Sequence, residues 1–242
     1  MRYPEIDIIK GIAVLMMVIY HYFIVSTLMG RPIVNLNNPY IHSLAVISHS
    51  TFILMVGLNL HNSYRKDKKG FYKKQLYRAL KLLFYGLLMT MVTYYLYPDS
   101  FVRYGIFHFI ASALIVSMLF IHNKLLVSYA IIFFIVLSIL STTYSNTFRA
   151  LCLNTKNVCF NLGLFNFYNS LDHFSFIPFF VYVLVGIKVG QILYSKQKSP
   201  FTVPNNKLTN TLALTGKYSL QIYLVHWFIL YFLVTVQGKV SP

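Results

Sequence analysis

The chain has 242 residues, of which 57% are hydrophobic and 11% charged, with a mean hydropathy of +0.61 and a net charge of +16. About a quarter of the residues of a soluble domain are charged, so composition excludes one. Nucleic acid is excluded as well: the basic residues gather between apolar runs, which is a pattern of membrane topology, and no aromatic platform accompanies them.

Runs of about 20 apolar residues are long enough to cross a bilayer. Seven occur, at 8–28, 41–62, 79–97, 104–121, 125–143, 172–194 and 217–236, and an even number would need one further segment, for which 158–169 is a candidate. The expected fold is all-α, a polytopic membrane bundle of about seven transmembrane helices in a single domain over 1–242. No polar leader with a small-residue cleavage site opens the chain, so the first span is expected to be retained.

The first span carries Lys10 and His21, and Asp7 precedes Lys10 by three positions. At about 100° per residue the three share one helix face, with Lys10 and His21 about 16 Å apart. An ionisable group inside a membrane span is expensive and reads as functional by default. In the second span His49 is a weak candidate, whereas His42 and His61 lie near span ends and receive no role.

The loop Tyr64–Tyr77 is strongly basic, and with Arg78 and Lys81 it places eight Lys and Arg in eighteen positions. Such a loop is expected on the cytoplasmic side, which puts the N-terminus inside and divides the basic residues fifteen inside to five outside, Lys188 being assigned to a span. The plain reading of the cluster is an orientation signal touching anionic headgroups. The functional reading is an anion site, because Lys73 lies beside Lys74, Arg78 and Lys81, which recur at helical spacing and can hold phosphates of a nucleotide-bearing donor.

Further along, His108 lies one turn into the fourth span, Asp172 and His173 open the sixth, and His226 lies mid-way along the seventh. Imidazole titrates near neutral pH and a carboxylate can orient it, so this set suits proton transfer. Taken singly, His108 and His226 are better read as interhelical hydrogen-bonding groups, and Asp172–His173 is equally well read as an acidic helix start. Lys188 can snorkel to an interface, and Gly186 with Gly190 reads as a helix-packing pair. Cys152 and Cys159 fall in the outer loop 144–171, where either a disulfide or two free thiols is open. Asn35, Asn37, Asn38, Asn161, Asn166 and Asn169 in the outer loops can bond a glycan, though loop asparagines are commonly turn residues. No zinc-ligand spacing, phosphate-binding glycine loop or nucleophile elbow is present, so no metal is expected.

The opening Glu5-IDIIKGIAVLMMVIYHYF resembles the first span of the transmembrane acyltransferases, marked by Arg or Lys, ten residues, then His; here these are Lys10 and His21. Phe52-ILMVGLNL, Tyr104-GIFHFIA, Leu171-DHFSFIPFFVYVLVGIKVG and Thr215-GKYSLQIYLVHWF resemble successive blocks of the branch that contains the catalytic domain of heparan-α-glucosaminide N-acetyltransferase and short bacterial relatives. The resemblance implies acetyl-CoA as a cytoplasmic donor, a carbohydrate acceptor (sugar amine or hydroxyl) reached through the bilayer, and a bacterial inner-membrane location. By position it implies His21 as the central catalytic residue; from their depths in the bilayer, His108, or Asp172 with His173, are expected to orient it or bind the acceptor. Lys10, Lys73, Lys74, Arg78 and Lys81 would serve the donor, and Asp7 and His226 the substrate. One departure stands out. The lysosomal enzyme has Asn in place of His21 and a further His in the next luminal loop, whereas Met29–Asn38 here has none. Direct transfer assisted by His21 is therefore the simpler expectation.

Two other classes stay open on sequence: a proton-coupled transporter or flippase using the same intramembrane groups, and a structural membrane subunit. Monomer and homo-oligomer are equally open.

Overall fold

The computed structural model describes residues 3–165, 167–195 and 198–240, with side chains to 237. Arg2, Asn166 and Lys196, named or counted above, lie outside the described residues, as does the side chain of Lys239. Among the described residues the chain is all-helical: α1 (Pro4–Leu28), α2 (Pro39–Lys66), α3 (Phe71–Leu96), α4 (Ile106–Ser117), α5 (Lys124–Thr143), α6 (Ser145–Leu151), α7 (Lys156–Leu162), α8 (Phe176–Leu193), α9 (Lys207–Lys217) and α10 (Ser219–Val240). Six of them, α1, α2, α3, α5, α8 and α10, are long and apolar enough to span a membrane, which makes this an integral membrane protein.

The expected span at 104–121 is corrected to the 12-residue α4, about 18 Å long against a hydrocarbon core of about 30 Å. Both its ends are held by other structure. Before it, Tyr104 pairs in a parallel bridge with His173, and Phe174 N–H donates to the Tyr104 carbonyl (3.0 Å). After it the chain turns toward Asn123, whose side chain accepts from the Leu125 and Leu126 amides and caps α5. The basic loop is corrected as well. Phe71, Gln75, Ala79, Leu82 and Gly86 form a buried stripe at helical spacing, so α3 begins at Phe71 and the connection shrinks to 67–70. Asp67 Oδ1 closes that turn by accepting the Gly70 amide (2.9 Å).

The chain forms two compact units, residues 1–55 with 199–242 and residues 56–198. In the first, α1 packs on α9 and α10. The α1–α9 crossing is made by two glycines: a Cβ on Gly11 would overlap the Leu212 carbonyl, and one on Gly216 the Asp7 carbonyl. Farther along α1, Val25 packs with Leu230 and Val234 of α10, flanked by Tyr22 and Trp227. Arg31 donates to the Val234 carbonyl (3.1 Å), and Tyr22 OH donates to Gln237 Oε1 (3.0 Å). Asn35 and Asn38 accept the Asn37 and Tyr40 amides (both 2.9 Å), so these two loop asparagines are turn and cap residues.

In the second unit α3 packs on α4 and α5 on α8. The His108 ring fills the space left by Gly86, and Gly57 lets α2 approach the Val183 backbone of α8. Gly190 lies against the His61 side chain, as the small-residue pair on α8 predicts. Lys188 donates to Ser128 Oγ (2.6 Å) on α5. The segment 144–171, expected as a loop, contains α6 and α7, tied by a disulfide between Cys152 and Cys159.

Candidate functional site

The sequence-selected residues divide between the two units. In the first, Lys10 Nζ forms an ion pair with Asp7 Oδ1 at 2.6 Å, an i,i+3 contact on one turn of α1. The buried Asp7 sits in the first turn, where the positive end of the helix dipole favours a carboxylate.

Four turns on, His21 meets His226 of α10, with ring centroids 4.9 Å apart and the planes at 68°. Trp227 stands edge-on to His21 at 5.4 Å. His21 Nδ1 lies 2.9 Å from the Met17 carbonyl, and His226 Nδ1 2.7 Å from the Tyr223 carbonyl. A carbonyl only accepts, so these contacts assign the hydrogen to Nδ1 in both rings and leave a lone pair on each Nε2. His226 Nε2 is buried and has no hydrogen-bond partner among the described residues. In their neutral forms, two imidazoles with Nδ1 so engaged each keep an Nε2 able to accept a proton.

His108, Asp172 and His173 all belong to the second unit, where Tyr104 lies between the two histidines. Its ring centroid is 5.9 Å from that of His108 and 6.4 Å from that of His173. Asp172 does not orient His173. Its Oδ2 accepts the Ile106 amide (3.1 Å) and so caps α4 from a distant part of the chain, in space that a Cβ on Gly105 would occupy. Burial raises the Asp172 carboxyl to about 6, partly offset by that amide. A carboxyl raised in the folded state binds more protons there than when unfolded, so its contribution to stability grows as pH falls from above 6 towards 4. Measured as the difference in thermal melting between the purified wild type and Asp172→Asn, which keeps an oxygen for Ile106, this gain should grow between pH 7 and 5. A difference that stays constant across that range would remove Asp172 from that role.

His173 stacks on Phe160 (3.8 Å between centroids, 25°), and its Nε2 lies 3.0 Å from Ser175 Oγ. Burial holds this imidazole below its usual value. The pair borders a cavity of about 440 Å³, whose lining includes Ser141, Thr142 and Phe165. Ser175 and Trp227 escaped the sequence reading. The signals available were a serine two residues after a histidine at a helix entry, and the single tryptophan beside His226.

On α3, Lys73, Lys74, Arg78 and Lys81 are exposed, the last three at i, i+4 and i+7 along one face. Lys81 Nζ lies 5.8 Å from the Tyr85 ring centroid.

The model of the family described as "Heparan-alpha-glucosaminide N-acetyltransferase, catalytic" matches residues 2–228. The chain belongs to this family. No curated protein and no solved structure matches it at a significant level. The match ends at Phe228, just beyond the imidazole pair, so this heparan-α-glucosaminide N-acetyltransferase-family catalytic domain includes both His21 and His226 together with every other residue selected from the sequence. Family membership and the six apolar helices together identify a membrane protein of the acetyltransferase class.

Proposed function

We propose that the protein moves an acetyl group from acetyl-CoA, taken from the cytoplasm, to a carbohydrate amine or hydroxyl reached from the opposite side of the membrane. The observation that carries this reading is the His21–His226 pair, with a bare Nε2 on each ring, inside a chain of this family. In the reaction the acceptor heteroatom attacks the thioester carbonyl carbon and the carbon–sulfur bond breaks. His21 Nε2 takes the acceptor proton, and the CoA sulfur receives a proton as it leaves. His226, through its own Nε2, holds or relays the proton beside it. A site poor in water protects the thioester from hydrolysis.

The donor roles follow from charge. Lys73, Lys74, Arg78 and Lys81 form an exposed cationic run suited to the phosphates of CoA. Lys10, already paired with Asp7, contributes a dipolar group rather than a free cation. Titration calorimetry of the purified chain with CoA tests the reading. Binding that weakens at least tenfold in a Lys74→Gln, Arg78→Gln, Lys81→Gln variant, and weakens in the wild type with added salt, is the expected result. Absence of CoA binding, accompanied by proton-coupled uptake of a solute into vesicles, would replace the enzyme with a transporter.

A further inference from the structure

We propose that Ser175 and His173 form a separate nucleophilic centre, which cleaves an uncharged ester of a short carboxylic acid in the cavity of the second unit. Every group involved belongs to that unit, so this activity stands independently of acetyl transfer.

Ser175 Oγ lies 3.0 Å from His173 Nε2, within the reach that joins a nucleophile to its base. A serine in this position ordinarily does something else. Ser175 is the N-cap of α8, where a hydroxyl usually accepts an amide of the first turn, yet its side chain makes no such bond. The third residue of the helix is Pro178, which has no amide to give. The hydroxyl is turned to the imidazole instead.

Phe160 stacks on that imidazole, with centroids 3.8 Å apart. The Phe160 and Tyr104 carbonyls act on the ring as acceptors. Ser175 occupies Nε2, so the hydrogen they attract is the one on Nδ1. Nδ1 is buried and has no close hydrogen-bond partner among the described residues, so the carbonyls orient the ring less firmly than a carboxylate would. Nε2 is left to accept the Ser175 proton.

Both side chains line the cavity, whose volume of about 440 Å³ falls within the range of small-molecule sites, about 300–1,000 Å³. Gly163, in the left-handed conformation (φ 80°) that ends α7, lies against Ser175, and a Cβ there would fall on its Cβ and Oγ. Glycine at 163 thus keeps the hydroxyl uncovered. Leu164 and Phe165 supply an apolar wall for an acyl chain. Ser141 and Thr142 donate to the Ser138 and Ile139 carbonyls, both at 2.8 Å, and so present oxygens that accept from an alcohol. Among the described residues no Asp, Glu, Lys or Arg lines the cavity, which favours an uncharged ester.

In the first step Ser175 Oγ bonds to the ester carbonyl carbon and its proton passes to His173 Nε2. The carbon–oxygen bond to the alcohol breaks, and the alcohol leaves with that proton. Water then gives a proton to Nε2 and attacks the acyl-serine, the acid departs, and Ser175 Oγ recovers the proton. The Phe176 and Ile177 amides, at the positive end of the α8 dipole, are the donors available to the oxygen that becomes negative.

The test uses the full chain in nanodiscs with p-nitrophenyl acetate as the ester and a fluorophosphonate probe, which marks an activated serine covalently. A single label on Ser175, located by peptide mass spectrometry, and steady release of nitrophenol are the expected results. Ser175→Ala should lose both. His173→Gln, which keeps a hydrogen-bond partner for Ser175, should slow labelling and turnover at least tenfold while melting as the wild type does. An unmarked Ser175, turnover unchanged in Ser175→Ala, or labelling unchanged in His173→Gln would overturn the assignment. Labelling of Ser175 without turnover would overturn it too, because the centre must release its acyl group.

Discussion

Replacing His21 with alanine should lower acetyl transfer from labelled acetyl-CoA by about 10²- to 10⁴-fold, the usual contribution of a positioned general base, or roughly 3–5 kcal/mol of barrier. The reason is geometric. Its Nδ1 is engaged by the Met17 carbonyl, so the nitrogen left to accept a proton is Nε2, on a ring whose centroid lies 4.9 Å from that of His226. His226→Phe separates chemistry from packing. Phenylalanine fills the same space against Trp227 but lacks Nε2, and a loss of about 10²-fold with unchanged thermal melting would mark the nitrogen as the working atom. Because the two rings act as a unit, the double variant should be little worse than His21→Ala alone. Full transfer activity in His21→Ala, assayed in membranes with the wild type alongside, would take the pair out of the mechanism.

The largest effect on stability should come from the α1–α9 crossing. Gly11→Ala and Gly216→Ala each place a methyl group on a backbone carbonyl, of Leu212 and Asp7 respectively. A side-chain end could swing aside, but a helix backbone can yield only by separating the helices. Overpacking of a fitted contact costs about 1–3 kcal/mol, and with backbone on the far side the upper end is expected at both positions. Detergent-solubilised variants should melt at clearly lower temperature than the wild type, whereas Gly30→Ala offers a contrast: Gly30 has open space around it and only a positive φ (74°) to lose. An unchanged melting temperature in Gly11→Ala would show that α9 is not clamped to α1. The same crossing carries the Asp7–Lys10 ion pair, so loosening it should also disturb whatever that pair serves.

Hydropathy is a property of consecutive residues, and it located the six long helices with shifts of a few residues at most ends. Where neighbours in space decide a boundary, sequence failed. Gln75, a polar residue, belongs to the buried stripe of α3, because its amide donates to Ser63 Oγ (3.0 Å), so the helix starts earlier than the apolar run does. The fourth span shortened because Tyr104 is drawn into a bridge with His173.

Helical periodicity alone put Asp7, Lys10 and His21 on one face of the first helix, and it did so correctly for Asp7 and Lys10, which touch. The ordered blocks along the chain likewise sufficed for the family. Partnerships across the chain were beyond both. That His21 meets His226, that Asp172 caps α4 instead of orienting His173, and that Ser175, Thr142 and Phe165 share a cavity all follow from tertiary packing. A residue's own identity states what bonds it can make; which atom it finds depends on helices that the chain brings together long after it has left the first of them.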